Sequence, residues 1–304
     1  MILHQPVLSS VVVKFLLSDG RKTFIDCTLG GGGHTIALLQ AAKYPIRIYG
    51  VDMDNEALDK AKERLADYKN ITFIHGDFAS LDVMIAKHGI DEVDGILADF
   101  GQSFDQIEDG QRGFAFKYDG PLDMRYNTQE MPTAADIVNS YTKQELTNLI
   151  YHNSQERQAS KIAASIVRER PLHTTGQLAD LIRRSSHRSF VEKTLARVFM
   201  ALRVEVNSEL KAIDNLLPIS HKLLRSGGRA VFISYDSNQD SRVKNFFRMK
   251  SRKCECPSKL PVCVCGLKPE LKILTHRVVK PDLAEIEDNP RSRSARLRAA
   301  EKIQ

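Results

Sequence analysis

The sequence predicts an open, doubly wound α/β sheet carrying an inserted all-α domain. Three observations lead there. Short apolar runs alternate with amphipathic helical patterns over the first hundred residues, the signature of parallel βαβ units. The alternation then stops, and from 105 to about 195 only helical periodicity is found. Strand-like runs resume after residue 228.

The elements follow in order. A strand at Thr23–Leu29 leads through a glycine turn into a helix at Thr35–Ala42. The strand Ile46–Val51 precedes a helix at Glu56–Ala66, where Ala57, Leu58, Ala61 and Leu65 share a face. The strand Ile71–His75, the helix Ser80–His88 and the strand Val93–Asp99 complete the first half. The insert reads as helices at Ala134–Ser140, Lys143–Tyr151, Glu156–Glu169, Thr175–Arg184 and Phe190–Met200. Thr174 stands where an N-cap is needed for the fourth of these. A long helical pattern, Val204–Leu224, ends at Gly227-Gly228 and leads to a strand at Arg229–Ser234. A helix over Asp240–Met249, a Cys-rich loop and a strand at Leu271–His276 come next, then a charged segment, Asn289–Gln304. The expected domains are therefore 1–105 with 201–288, an insert at 106–200, and a basic tail at 289–304.

The most informative stretch is Asp26 to Thr35, D-C-T-L-G-G-G-G-H-T. Strand, glycine turn and helix make room for a nucleotide-like ligand, because glycine lets the backbone approach and the helix N-terminus offers unpaired N–H groups. The next strand ends in Asp52, twenty residues after Gly32, where a carboxylate can accept bonds from two ribose hydroxyls. An adenosine-bearing cofactor is expected. The turn does not say which: a nicotinamide site wants G-x-G-x-x-G, and Thr35 occupies the third glycine position.

Composition narrows the class. The chain has 304 residues, 42% hydrophobic, enough for a large core. It has no apolar run of membrane-spanning length. Its first residues, Met1 to Pro6, lack the pattern of a secretory signal, so a cytoplasmic location is expected. Lys and Arg number 44 against 38 Asp and Glu. This excess is mild, so its distribution matters more than its sum. Arg183, Arg184, Arg188, Lys193, Arg197 and Arg203 crowd one stretch with only Glu192 and Glu205 near them in sequence, and Arg291, Arg293, Arg296 and Arg298 crowd another. Two such clusters beside a cofactor site point to a polyanionic substrate.

Open α/β sheets place chemistry at the carboxyl ends of strands. The fourth strand ends in Asp99-Phe100-Gly101-Gln102-Ser103-Phe104. The exocyclic amine of cytosine or adenine is a poor nucleophile, since its lone pair is delocalised into the ring. An acceptor must take an N–H bond and hold the nitrogen in line with an electrophilic methyl group. Asp99 supplies such an acceptor, and Phe100 or Phe104 a face for the base. Asp99 and Ser103 are the candidate catalytic residues. The plainer readings are a turn residue for Asp99 and core packing for the aromatics.

At this point the chain resembles the bacterial 16S ribosomal RNA cytosine-N4 methyltransferases, which use S-adenosylmethionine. The likeness runs from His4-Gln5-Pro6-Val7-Leu8 through Asp26–Gly30 with Gly32-Gly33-His34, Asp52-Met53-Asp54, Gly76-Asp77-Phe78 and Gly95–Gly101. It continues through Arg112–Phe116, Gly120-Pro121-Leu122-Asp123-Met124-Arg125, Phe199–Val204 and Val206-Asn207 to Asn289–Ala295. The resemblance implies a Rossmann-like methyltransferase sheet. It implies a cofactor bound by Gly32, Gly33, His34, Asp52, Phe78, Asp99 and Gln106, with Phe78 beside the adenine and Asp99 and Gln106 near the methyl group. It implies that the helical insert recognises RNA, with the small ribosomal subunit as partner, and that the loop Arg112–Arg125 lies over the target cytidine. Within that loop, Asp123 and Arg125 read equally well as an ion pair.

Three strings depart from the family pattern. D-L-G-V-S-S is D-F-G-Q-S-F here, with Gln102 and Phe104 as replacements. A G-E-E triplet is Ser154-Gln155-Glu156. F-H-S-L-E-D-R becomes Tyr235-Asp236-Ser237-Asn238-Gln239-Asp240-Ser241-Arg242. These changes are expected around the base rather than the cofactor. They leave three readings: the family reaction in a rearranged pocket, a relative acting at another RNA site, or cofactor and RNA binding without efficient transfer. A small-molecule methyltransferase is disfavoured by the basic insert, and a nicotinamide oxidoreductase by Thr35.

Four of the five cysteines, Cys254, Cys256, Cys263 and Cys265, fall within twelve residues. In a reducing compartment four thiolates suit a structural zinc, although C-x-C is tighter than the common spacing and a merely Cys-rich loop is the alternative. Cys27, on the first strand, reads as a small buried residue.

Overall fold

The computed structural model describes all residues except 1–5, 18–19, 130–131, 187, 257–264 and 304, and gives no side-chain placement for Phe104, Asp105 and Arg188. The chain forms two compact units: Met1–Gly101 with Lys211–Gln304, and Gln102–Leu210.

The first unit is built on a seven-stranded sheet. Its strands are β1 (Thr23–Asp26), β2 (Arg47–Asp52), β3 (Ile71–His75), β4 (Val93–Asp99), β5 (Leu224–Ser234), β6 (Leu271–Ile273) and β7 (Arg296–Lys302). The order is β3-β2-β1-β4-β5-β7-β6. The first five are parallel, and β7 pairs antiparallel with both β5 and β6. The strand order reverses between β1 and β4, the switch point at which open α/β sheets bind ligands. Ile25, Ile96 and Phe232 are wholly or almost wholly buried, consistent with central parallel strands covered on both faces.

Helices α1 (Ser9–Leu16), α2 (Gly33–Ala41), α3 (Asn55–Arg64) and α4 (Leu81–Ala86) belong to the first half of this unit. Asp54 caps α3, accepting from Glu56 and Ala57 N–H groups at 3.0 and 3.4 Å. The other unit contains α5 (Phe104–Glu108), α6 (Ala134–Ser140), α7 (Lys143–Ser154), α8 (Ala159–Arg168), α9 (Thr175–Ser185) and α10 (Val191–Val206). Its core gathers Ile137, Leu146, Ile162, Leu178 and Leu202. Capping boxes Thr133/Asp136, Thr142/Glu145 and Thr174/Gln177 start α6, α7 and α9. Each cap satisfies N–H groups that the helix itself cannot. After α10 the chain runs through α11 (Glu209–Leu223), then α12 (Ser237–Lys250) and α13 (Leu283–Asp288).

Two expectations are corrected. The long helical pattern is two helices, α10 and α11, separated at Asn207-Ser208. Asn207 spends its side chain on loop backbone, accepting from Tyr126 N–H at 2.7 Å and donating to Met124 carbonyl at 2.8 Å. Ser208 takes a left-handed φ of 48°. Gly227-Gly228 accordingly lies inside β5 rather than ending a helix. The second correction concerns 289–304, which is not a free tail. Residues Arg296–Lys302 are an interior strand, with Leu297, Ala299 and Ala300 buried. Alternating arginines hide its period-two pattern in the sequence.

Candidate active site

The glycine turn after β1 shows why these residues are needed. Gly30 and Gly32 have φ of +49° and +76°, the left-handed region that glycine enters without penalty. A Cβ on Gly32 would also meet Leu65 Cδ1 at 2.7 Å. Thr35, in the third glycine position, donates its hydroxyl to Asp26 Oδ2 at 2.9 Å. Asp26 is buried at the end of β1, and burial pushes its carboxyl upward.

Asp52, ending β2, faces this turn. Its Oδ2 accepts from Gly30 N–H at 2.7 Å and its Oδ1 from Asp54 N–H at 2.9 Å. Burial raises the carboxyl to about 6, against the downward pull of those two backbone bonds. Each oxygen keeps a further lone pair for a ligand hydroxyl.

Asp99 ends β4, beside β1. Its N–H donates to Thr28 Oγ1 at 2.7 Å, tying the two strand ends together. Its Oδ2 lies 3.5 Å from His34 Nε2 and accepts from the Tyr235 hydroxyl at 3.3 Å. Its Oδ1 is buried with no hydrogen-bond partner among the described residues, and neither ring nitrogen of His34 makes a hydrogen bond there. Buried polar atoms of this kind are uncommon and call for a partner. The Tyr235 hydroxyl stays protonated, because burial, and then the Asp99 charge, push it well above its ordinary value.

Phe78 follows β3 in a 3-10 turn started by Asp77, which accepts from Ala79 N–H at 2.8 Å. Its ring lies 6.0 Å from Phe100. Phe100 itself is buried and stacked on Phe232 at 5.7 Å. It is therefore a core residue, not a face for a base, and the side chain of Phe104 lies outside the described residues. Gly32, His34, Asp52 and Asp99 thus gather at the carboxyl ends of three adjacent strands. Tyr235 was not foreseen; its only signal was a hydroxyl where the family string has Phe.

Ser103 and Gln106 belong to the helical unit, where they cap α5 reciprocally. Ser103 N–H donates to Gln106 Oε1 at 3.0 Å, and Gln106 N–H to Ser103 Oγ at 3.2 Å.

A model of the MraW methylase family matches residues 1–303. The chain belongs to this family. A ribosomal RNA small subunit methyltransferase H of Thermomicrobium roseum is 44% identical, over 99% of this chain and 94% of that protein. The protein of the same name from Carboxydothermus hydrogenoformans is 41% identical, over 99% and 98%. That of Clostridium botulinum strain Kyoto is 38% identical, over 99% of both.

The departures of this MraW-family chain have structural uses. Asp236 caps α12, accepting from Asn238 and Gln239 N–H groups at 2.7 and 3.0 Å. Gln239 is buried and accepts from Tyr235 N–H at 3.0 Å, which fixes the tyrosine beside Asp99. Asp240 takes a two-pronged bond from Arg298 of β7, at 2.6 and 3.0 Å. Arg242 pairs with Asp214 at 3.1 Å. In the helical unit Gln102 accepts from Arg203 at 2.8 Å, and buried Glu156 pairs with Arg197 at 3.2 Å. Arg125 grips Asp123 through two 2.8 Å bonds, the ion-pair reading of that loop.

The basic stretch has more acidic company than its sequence suggests. Arg183 pairs with Asp180 at 2.8 Å, Arg184 with Glu169, and Arg203 with Glu209 at 2.6 Å. Arg183, Arg184, Lys193 and Arg197 remain exposed, whereas Arg203 is mostly buried. Cys27 is buried, and burial drives its thiol well above the usual value, leaving it inert. Cys254, Cys256 and Cys265 come together, with their Sγ atoms all within 4.8 Å of one another; Cys263 lies outside the described residues. Among those residues, no helix is long and apolar enough to cross a membrane.

Proposed function

We propose that this methyltransferase moves a methyl group from S-adenosylmethionine to the exocyclic N4 of a cytidine in 16S ribosomal RNA of the small subunit, in the cytoplasm. The observation that carries the reading is Asp99 Oδ1, buried without a partner among the described residues at the carboxyl end of β4. The amine of cytosine must give an N–H to an acceptor if its nitrogen is to be aimed, and Asp99 Oδ1 is an acceptor with no donor among the described residues. The Tyr235 hydroxyl, donating to Oδ2, holds the carboxylate in place, with His34 Nε2 3.5 Å away.

The residues fit the cofactor. Asp52 would receive the ribose hydroxyls, the turn at Gly32, Gly33 and His34 would lie along the methionine portion, and Phe78 would flank the adenine. When bound, the cofactor supplies a methyl group on a positively charged sulfur. Asp99 then accepts an amine N–H, which turns the nitrogen lone pair out of ring conjugation and directs the departing proton. The helical unit, with Arg183, Arg184, Lys193 and Arg197 exposed, would meet phosphates, which position an RNA without reading its sequence. The relatives' names support the ribosomal substrate.

The test is transfer from labelled S-adenosylmethionine to small subunits lacking their cytosine-N4 methyl group, followed by nucleoside analysis. Label in N4-methylcytidine is expected. Label in another nucleoside would mean a retargeted enzyme. A second reading, binding without efficient transfer, rests on Asp236 and Gln239 standing where the family has His and Glu. Cofactor binding with no label would favour it.

A further inference from the structure

We propose that Cys254, Cys256 and Cys265 hold a structural zinc ion in the segment between α12 and β6. A Zn–S bond of about 2.3 Å sets the sulfur–sulfur edge of a tetrahedral site at about 3.8 Å. Cys254 and Cys265 Sγ atoms are 3.8 Å apart, far longer than the ~2.05 Å of a disulfide. The third sulfur lies within the same 4.8 Å group. Cys256 N–H points at Cys254 Sγ, at 3.3 Å, the kind of outer bond that orients a thiolate ligand. Gly266 directly follows Cys265 with φ of +62°, so the chain can turn tightly behind the ligand.

The loop needs such a clip. Its ends are clamped where Glu270 N–H donates to Lys250 carbonyl at 2.8 Å and Lys250 Nζ meets Glu270 at 2.9 Å. Beyond that clamp, no described residue of 251–256 or 265–269 is buried. Among these described residues no buried apolar side chain offsets the entropy of ordering the chain; a metal bound by thiolates does. Thiolates favour zinc over the hard cations, and the ion would be structural, away from Asp99 in sequence and element.

The full-length protein, purified with reductant, should contain one equivalent of zinc per chain. Cys254→Ser and Cys265→Ser should each lose it. Cobalt in its place should give thiolate charge-transfer absorption. Removing the metal from the unaltered protein with a chelator should speed tryptic cleavage after Arg252 and Lys253 at least tenfold, which tests the site even if a serine variant fails to fold. Zinc content indifferent to both substitutions, a Cys254–Cys265 disulfide in the metal-free isolated protein, or the colour of an iron–sulfur cluster would each overturn the proposal.

Discussion

The hydroxyl of Tyr235, at the end of β5, lies 3.3 Å from Oδ2 of Asp99, at the end of β4. Adjacent parallel strands bring together residues 136 positions apart. The contact fixes one carboxylate oxygen, while the other is buried without a partner among the described residues. Tyr235→Phe restores the family residue and removes only this bond. A hydrogen bond to a charged group contributes about 1.5–3 kcal/mol, and the length of this one argues for the low end. Turnover should fall about tenfold with the KM for cofactor unchanged. Unchanged turnover would make the contact incidental.

Asp99→Ala removes the acceptor itself. Methyl transfer should drop by about a thousandfold or more, the scale seen when a preorganised group at the reacting centre is deleted. Product-cofactor affinity and the unfolding midpoint should stay close to those of the unaltered protein, because Thr28 is held by the Asp99 backbone rather than its side chain. Normal turnover would remove Asp99 from the mechanism.

The placement of Gly32, Asp52 and Asp99 at neighbouring strand ends was legible because its signals are local: a glycine turn, an acidic residue one strand later, an aspartate ending a fourth strand. The sheet and most of the helix starts were legible for the same reason, through periodicity and capping residues such as Thr174. What escaped depends on contacts between distant segments. Tyr235 has no partner legible in the sequence until β5 is laid beside β4. Asp236 looks like a lost histidine but serves as a helix cap. Phe100 is chemically able to stack on a base, yet it is buried, stacked on Phe232 and flanked by the tilted ring of Phe78.

The β7 strand was hidden by its charges, and Arg298 shows what those charges do. Arg298 and Asp240 are each about one-eighth exposed at the side chain. Removing one partner of such a mostly buried pair leaves the other uncompensated. Arg298→Ala should cost roughly 2–3 kcal/mol in urea unfolding, below the 3–5 of a fully buried pair. Deleting 296–304 should abolish cooperative unfolding, since β7 separates β5 from β6. A truncated protein as stable as the full chain would mean that the strand is dispensable.

The proposed ribose contact of Asp52 predicts a pH dependence for cofactor binding. Burial raises its carboxyl to about 6, and the ionised form is the better acceptor for ribose hydroxyls. Affinity for S-adenosylhomocysteine should be level above pH 6 and weaken about tenfold per unit below it. The stability of the cofactor-free protein moves the other way. A carboxyl raised on folding contributes stability below its unfolded value, and that contribution is lost as pH rises through about 6. Calorimetric titrations from pH 5 to 8 would show the first effect, and Asp52→Asn should flatten it. Affinity that stays level down to pH 5 would move the ribose site elsewhere.

Arg183 and Arg184 test the RNA face. Both are ion-paired, to Asp180 and Glu169, but exposed pairs contribute at most about 1 kcal/mol. Phosphates can therefore recruit these guanidinium groups at little cost. Replacing both with Gln should weaken binding to ribosomal RNA and reduce the slope of log affinity against log salt by about 1.5, the counterions of two phosphates. Lys193→Gln, on the exposed side of α10, should reduce it by about half as much. Buried Arg203 should behave differently: its pair with Glu209 and bond to Gln102 make it a structural residue, so its loss should lower stability before it alters the slope. An unchanged slope in the double variant would place the RNA footprint on another face.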